Sequence, residues 1–297
     1  MITVNSLSGG KTSSYIAANY PADVEVFALV CIDDINANAK TAFKVDAKVR
    51  QMVNDKLQKY CSHMPEFLAT AEDPLTIKTM FDLEQFIGRE IIWVRGIGYD
   101  EVIRQKQMIP NALTSSCTTL TKIKPIFELL YMYFDLPCRM RIGYRADETD
   151  RVEDFTENFK IPIYSQLYNK PKKGGVERTE WFQRWEDFKY RVGEFLLVRD
   201  NIYNIDVQNF WKPLIDAGII EFPPDTNCQF CFHKMLQQLK INSVRNPSLA
   251  MWSAVMESIQ GNTFQKEWSM LEIQNVNVQQ DLFGQLHSSC KGGYCTG

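Results

Sequence analysis

Six residues near the N-terminus, Ser8-Gly9-Gly10-Lys11-Thr12-Ser13, have the composition of a phosphate-binding loop. Glycine lets backbone N–H groups approach phosphate oxygens with no Cβ in the way. A helix that starts directly afterwards offers unpaired N–H groups and the positive end of its dipole to an anion. Ser8, Thr12 and Ser13 add hydroxyl donors, and Lys11 adds a charge. The run is not a Walker loop, which needs four residues between its first glycine and Gly-Lys. Further along, Arg145 and Arg151 have the planar forks that suit phosphate oxygens. Asp33 is a candidate for a nucleotide or Mg²⁺ contact, or for the cap of a turn.

The cysteines are the second reactive set. Of eight, four form two close pairs, Cys228-Gln229-Phe230-Cys231 and Cys290…Cys295. Two such pairs can supply four thiolates to a tetrahedral zinc or to an iron–sulfur cluster. Cys228, Cys231, Cys290 and Cys295 are therefore the expected metal ligands, with His233 and His287 close by in sequence. Cys117 is either a free thiol or, in a rearranged set with Cys228, Cys231 and one tail cysteine, a ligand. Cys31, Cys61 and Cys138 lie in apolar stretches and read as packing residues.

The elements that must position these groups follow from the hydrophobic pattern. Residues 1–8 read as a short buried strand, with a helix over Thr12–Ala18 after the glycine pair. Val24–Ile32 is almost wholly apolar, as a strand buried on both faces is. Residues 38–60 have helical spacing. Glu90–Arg95 is a strand, Ile123–Phe134 a helix, Arg139–Tyr144 a strand, and Ile161–Tyr164 a short one. Strands alternating with helices imply an α/β fold, a parallel sheet with helices on both faces, whose ligands bind at the carboxyl ends of the strands. Asn169–Gly175 reads as an exposed loop. Beyond it a mostly helical C-terminal region is expected, rich in Trp and Phe over 181–196 and carrying the cysteine cluster. Pro223–Asn227 breaks that region, and the tail from 276 is polar. The division is a nucleotide domain over 1–165 and a helical region over 166–297.

Bulk properties narrow the classes. Apolar residues make up 45 % of 297 positions and aromatics 12 %, enough for a substantial core. A net charge of −3 gives no global basic field for nucleic acid or membrane. No apolar run reaches the roughly 20 residues of a spanning helix. No signal-peptide core opens the chain, so a cytoplasmic protein is expected.

Together these runs resemble the PP-loop superfamily of adenine nucleotide alpha hydrolase-like proteins, whose signature is close to Ser-Gly-Gly-x-Asp-Ser; Thr12 stands where many members have Asp. Cys117-Thr-Thr-Leu-Thr-Lys122-Ile-Lys124-Pro125-Ile126 looks like the Cys-Cys-x-x-x-Lys-x-x-Pro-Leu run of iron–sulfur sulfonucleotide reductases, with Thr118 for the second cysteine. Gly143-Tyr-Arg145-Ala-Asp-Glu148-Thr149 looks like their Gly-x-Arg-x-x-Gln-Ser run. The resemblance is to the phosphoadenosine phosphosulfate reductase-like branch, most closely to the type carried by phages and mobile elements, which would place it in a host cytoplasm.

That resemblance implies an enzyme that binds ATP with Mg²⁺, or a sulfated adenine nucleotide, and holds a 4Fe–4S cluster or alternatively Zn²⁺. The acceptor is a small molecule or a nucleic acid, and a homodimer is left open. The first expectation is cleavage of ATP at the α-phosphate to adenylate an acceptor, with Lys11 and Arg145 stabilising phosphate charge and Cys117 or the cluster delivering sulfur. The second is sulfonucleotide reduction. Its Glu-Cys-Gly-x-His nucleophile run is missing here, and the tail offers Cys290 and Cys295 instead. The third is a non-catalytic nucleotide-binding module with a structural four-cysteine site.

Overall fold

The computed structural model describes residues 1–34, 45–111, 116–171 and 177–275. The main sheet has five strands, all parallel, in the order β5-β2-β1-β6-β9. They are β1 (Thr3–Leu7), β2 (Val24–Leu29), β5 (Ile91–Arg95), β6 (Cys138–Arg141) and β9 (Arg191–Glu194). The chain starts in the middle with β1 and moves outward through β2 to β5. It then returns to lay β6 on the other side of β1. This reversal of direction, between β1 and β6, is where such sheets open a crevice at the strands' carboxyl ends.

Alternation along the strands covers both faces. Leu7, Phe27, Leu29, Ile91 and Trp93 pack on one side against helices α1 (Lys11–Asn19), α2 (Ala47–Cys61), α3 (Leu75–Ile87) and, from far along the chain, α6 (Asn204–Asp216). Val4, Val26, Ala28, Ile92, Val94 and Met140 pack on the other against α5 (Lys124–Tyr133). The expected α/β class, with a parallel sheet and helices, is what the chain forms.

Three expectations change in detail. The apolar run Val24–Ile32 does not stay in one sheet: β2 stops at Leu29, and β3 (Cys31–Ile32) pairs antiparallel with β4 (Ala69–Thr70). A buried run gives no sign of which neighbour it will pair with. The aromatic stretch after 180 is a strand, not a helix. β7 (Asn158–Pro171) and β8 (Glu177–Lys189) form a long antiparallel ribbon with an irregularity between Pro162 and Tyr164. Trp181, Trp185 and Phe188 have helical spacing, but aromatic residues also favour strands, and the partner strand decides. The proposed division at 165 falls inside β7, and β9, which lies beyond it, is a member of the main sheet. Helices resume after β9 with a turn at Leu196–Arg199.

The C-terminal helices α7 (Leu236–Arg245), α8 (Pro247–Gln260) and α9 (Met270–Asn275) share a core with β3, β4 and α4 (Tyr99–Lys106) through Ile32, Ala69, Tyr99, Ile103, Leu239, Leu249 and Ile273. The helical region is thus seated on the edge where β2 leaves the main sheet. No helix among the described residues is long and apolar enough to cross a membrane.

The turn before α5 is tightly docked. Residues Thr119–Ile123 form a π-helical turn whose backbone lies on Gly96, just past β5. A Cβ on Gly96 would stand 2.1 Å from the Leu120 carbonyl oxygen and 2.9 Å from Thr121 Cα. Both are backbone atoms that cannot rotate away. Gly96→Ala is therefore expected to cost about 3 kcal/mol in a urea titration, at the upper end of overpacking penalties.

Buried thiols make a second check. Cys31, Cys61 and Cys138 are all buried, as their apolar surroundings suggested. Burial pushes the Cys31 thiol up to about 12 and the Cys138 thiol up to about 11. Alkylation of the native protein at pH 9 should leave both unlabelled, whereas the urea-unfolded chain, with ordinary thiols near 8.5, should label both.

Candidate functional site

The crevice at the β1–β6 reversal is lined by the two predicted runs. After β1 the chain turns through Gly9, at φ 75°, and Gly10, then enters α1. Positive φ is the reason for glycine at position 9, and a close approach adds a second: a Cβ there would stand 2.3 Å from Thr76 Cγ2 of α3. The turn is locked by hydroxyls. Ser8 N–H donates to Ser13 Oγ at 3.1 Å, Ser13 Oγ donates to the Gly10 carbonyl at 3.2 Å, and the Ser8 and Ser13 hydroxyls lie 3.1 Å apart. α1 begins on Gly10 with no side-chain cap. Its first-turn N–H groups, which an α-helix cannot satisfy internally, are left facing the crevice end of the sheet.

The other wall is the run after β6. A Cβ on Gly143 would lie 3.3 Å from Ser13 N and 3.3 Å from Thr12 Cγ2, so the two runs touch. Arg145 Nη1 donates to Thr12 Oγ1 at 3.0 Å. Its remaining donors meet Asp147 at 3.3 Å and Glu148 at 3.2 Å. Arg151 pairs with the same Glu148 at 3.0 Å and lies over the Tyr144 ring, 4.3 Å from its centroid. The Ser8–Ser13 and Gly143–Arg151 runs thus meet at the carboxyl ends of β1 and β6.

Two expected residues are occupied elsewhere. The Lys11 ammonium is 2.7 Å from Gln208 Oε1 of α6, and Trp211 Nε1 donates to the Lys11 carbonyl at 2.8 Å. Lys11 therefore ties α1 to α6. Among the described residues its partner is a neutral amide, and burial lowers its pKa. Asp33 accepts from Arg95 Nη2 at 2.7 and 2.6 Å. Arg95 is fully buried and also donates to the Pro65 and Gly96 carbonyls. Asp33 is thus the counter-ion of a buried guanidinium, and the pair joins the ends of β3 and β5.

Beside the glycine turn is a small cleft, open to solvent. Cys117, Cys228 and Cys231 line it together, along with Tyr99, Lys122 and Asn227. Cys117 and the Cys-x-x-Cys pair are more than a hundred positions apart, and the fold brings them to one surface. Burial pushes all three thiols up, Cys228 furthest. Among the described residues no three His, Cys, Asp or Glu side chains stand close enough to hold a metal ion. The other expected ligands, Cys290 and Cys295, and nearby His287, lie outside the described residues.

Lys122 belongs to the Cys117–Ile126 run of the sequence, but its partner Glu72 and the packing of Thr226 gave no signal there. Lys122 forms a buried ion pair with Glu72, Nζ to Oε1 2.8 Å, beside the thiols. Burial alone would lower the lysine's pKa, but the Glu72 charge wins and raises it. Glu72 Oε2 is buried without a hydrogen-bond partner. Thr226 covers the phosphate loop: a Cβ on Gly10 would stand 2.9 Å from its methyl group. Cys228 is only two residues further on, so its Cα is no more than about 7.6 Å from that of Thr226. The segment is held by a bond from Gln229 N–H to the Ala71 carbonyl and by the Lys234–Asp225 ion pair. The Pro223–Asn227 break marked the segment, but its packing on Gly10 depends on contacts over two hundred positions away.

Compared with protein-family models, curated proteins and solved structures, the chain matches none.

Removing one partner of the buried Lys122–Glu72 pair leaves a buried charge. Lys122→Met is expected to cost about 3–5 kcal/mol in denaturant unfolding. The double variant Lys122→Met with Glu72→Leu should recover a large part of that loss. Equal losses in the single and double variants would show that the pair is not coupled.

Proposed function

We propose that this chain is an adenine-nucleotide enzyme of the PP-loop type, in the phosphoadenosine phosphosulfate reductase-like branch, that cleaves ATP at the α-phosphate to adenylate an acceptor. The observation that carries the reading is the uncapped N-terminus of α1, presented by a glycine turn at the β1–β6 reversal with Arg145 across from it. Backbone N–H groups and hydroxyls cradle the phosphate chain. Arg145, already on Thr12, reaches the same oxygens. An oxygen of the acceptor attacks the α-phosphorus, the bond from that phosphorus to the bridging oxygen of the β-phosphate breaks, and pyrophosphate leaves. Mg²⁺, when bound, screens charge on the phosphates.

The thiols give the reading its second half. Because Thr226 covers the loop and Cys228 follows two residues later, the cleft lies next to where the adenylate would form. Cys117, Cys228 and Cys231 share this cleft. The described thiols do not by themselves make a metal-holding group, so no step is routed through a cluster. Metal analysis decides its identity: iron with sulfide supports the cluster, and zinc without sulfide replaces it.

Incubation with α-labelled ATP and Mg²⁺ is expected to give pyrophosphate and labelled, adenylated acceptor, with AMP released only when a second nucleophile displaces it from the acceptor. Ser13→Ala removes the hydroxyl that closes the loop, and ATP affinity should fall tenfold or more, in the range of a lost hydrogen bond that supports a charged ligand. Lys11→Ala should cost less, since the ammonium is held by Gln208. Unchanged ATP affinity in Ser13→Ala would remove the loop assignment.

A further inference from the structure

The wall formed by residues 143–151 is not an open pair of arginines. Glu148 Oε1 forms an ion pair with Arg145 Nη2 at 3.2 Å and accepts from Arg151 Nη1 at 3.0 Å, and Oε2 accepts the Arg145 backbone N–H at 3.1 Å. A single carboxylate bridging two guanidiniums stands where a phosphate or sulfate would bridge them, because the fork geometry is the same. Asp147 takes Arg145 Nε at 3.3 Å. Two cationic and two anionic side chains leave the group formally neutral.

The trio is partly shielded, with side-chain exposures of 21 % for Arg145, 19 % for Glu148 and 14 % for Arg151. Charges in such a place are screened less than at an open surface. A second anionic group on a ligand would have to displace Glu148 from both guanidiniums and then remain beside its charge. A neutral hydroxyl in that place meets neither obstacle.

We infer that Glu148 is a specificity residue. It fills the position of a second anion from within the chain, so the site selects adenine nucleotides whose only anionic part is the 5′-phosphate chain and disfavours those with a further phosphate or sulfate. The inference rests on the nucleotide reading above and names its substrate class.

The test is a ratio of affinities. Dissociation constants for AMP, adenosine 3′,5′-bisphosphate and ATP are measured by calorimetry on the wild type and on Glu148→Gln, which keeps the shape and removes the charge. The wild type is expected to bind AMP at least tenfold more tightly than the bisphosphate. Glu148→Gln should prefer the bisphosphate by tenfold or more, and Glu148→Asp should return the ratio towards the wild type. A merely structural role would weaken both nucleotides together and leave the ratio alone. Asp147→Asn frees one donor of one guanidinium and should shift the ratio about threefold in the same direction; it serves where Glu148→Gln does not fold.

A wild type that binds the two alike, or that prefers the bisphosphate, overturns the inference, and so does an unchanged ratio in the variants. If ATP binds in those cases, this inference alone fails. If ATP does not bind the wild type, the nucleotide reading fails with it.

Discussion

The bond from Ser8 N–H to Ser13 Oγ closes a six-residue turn between the central strand and the first helix. Most of the molecule is arranged around that turn. Because β1 is central and β6 returns to its far side, the turn sits where the sheet's connections part in opposite directions. Because Gly9 and Gly10 lack side chains, α3 and the 225–231 segment can rest Thr76 and Thr226 directly on it. Because α1 starts without a cap, its N–H groups keep the capacity for an anion that a serine or aspartate cap would have used.

Charge is organised around the same point, chiefly by pairs and not by free cations. Arg95 is neutralised by Asp33, Lys122 by Glu72, and Arg145 and Arg151 share Glu148. Buried pairs of this kind contribute little net stability, since desolvation offsets most of the attraction, but a missing partner is costly. Their effect here is positional. Asp33 with Arg95 ties the ends of β3 and β5, and Lys122, paired with Glu72, lines the cleft beside the cysteines. The Thr226–Cys228 segment joins cleft and loop, so a change in either is felt within two residues of the other.

Much of the sheet was legible in the chain itself. β1, β2, β5 and β6 are short apolar runs between turn signals, and α1, α2 and α5 have helical spacing. The run order placed Ser8–Ser13, Asp33 and Gly143–Arg151 at strand ends, where the structure has them. The ribbon β7–β8 was not legible. Trp181, Trp185 and Phe188 fit one face of a helix as well as they fit a strand, and only pairing with Asn158–Pro171 separates the two. β9 is four residues long and was hidden among aromatics. Charge roles were also hidden, since nothing local distinguishes an arginine that awaits phosphate from one already held by Glu148.

By itself, then, the sequence determined the glycine turn between the first strand and the first helix, the alternation of strand and helix, and the burial of Cys31, Cys61 and Cys138. Those properties depend on neighbours within about ten positions, where spacing and residue type carry the physics. The tertiary structure alone decided that Cys117 meets Cys228 and Cys231, that Lys11 points to Gln208, that Thr226 rests on Gly10, and that Lys122 finds Glu72. Each of these joins groups at least 50 positions apart, beyond the reach of local periodicity, and each follows from how the chain crosses β1 and closes back over it.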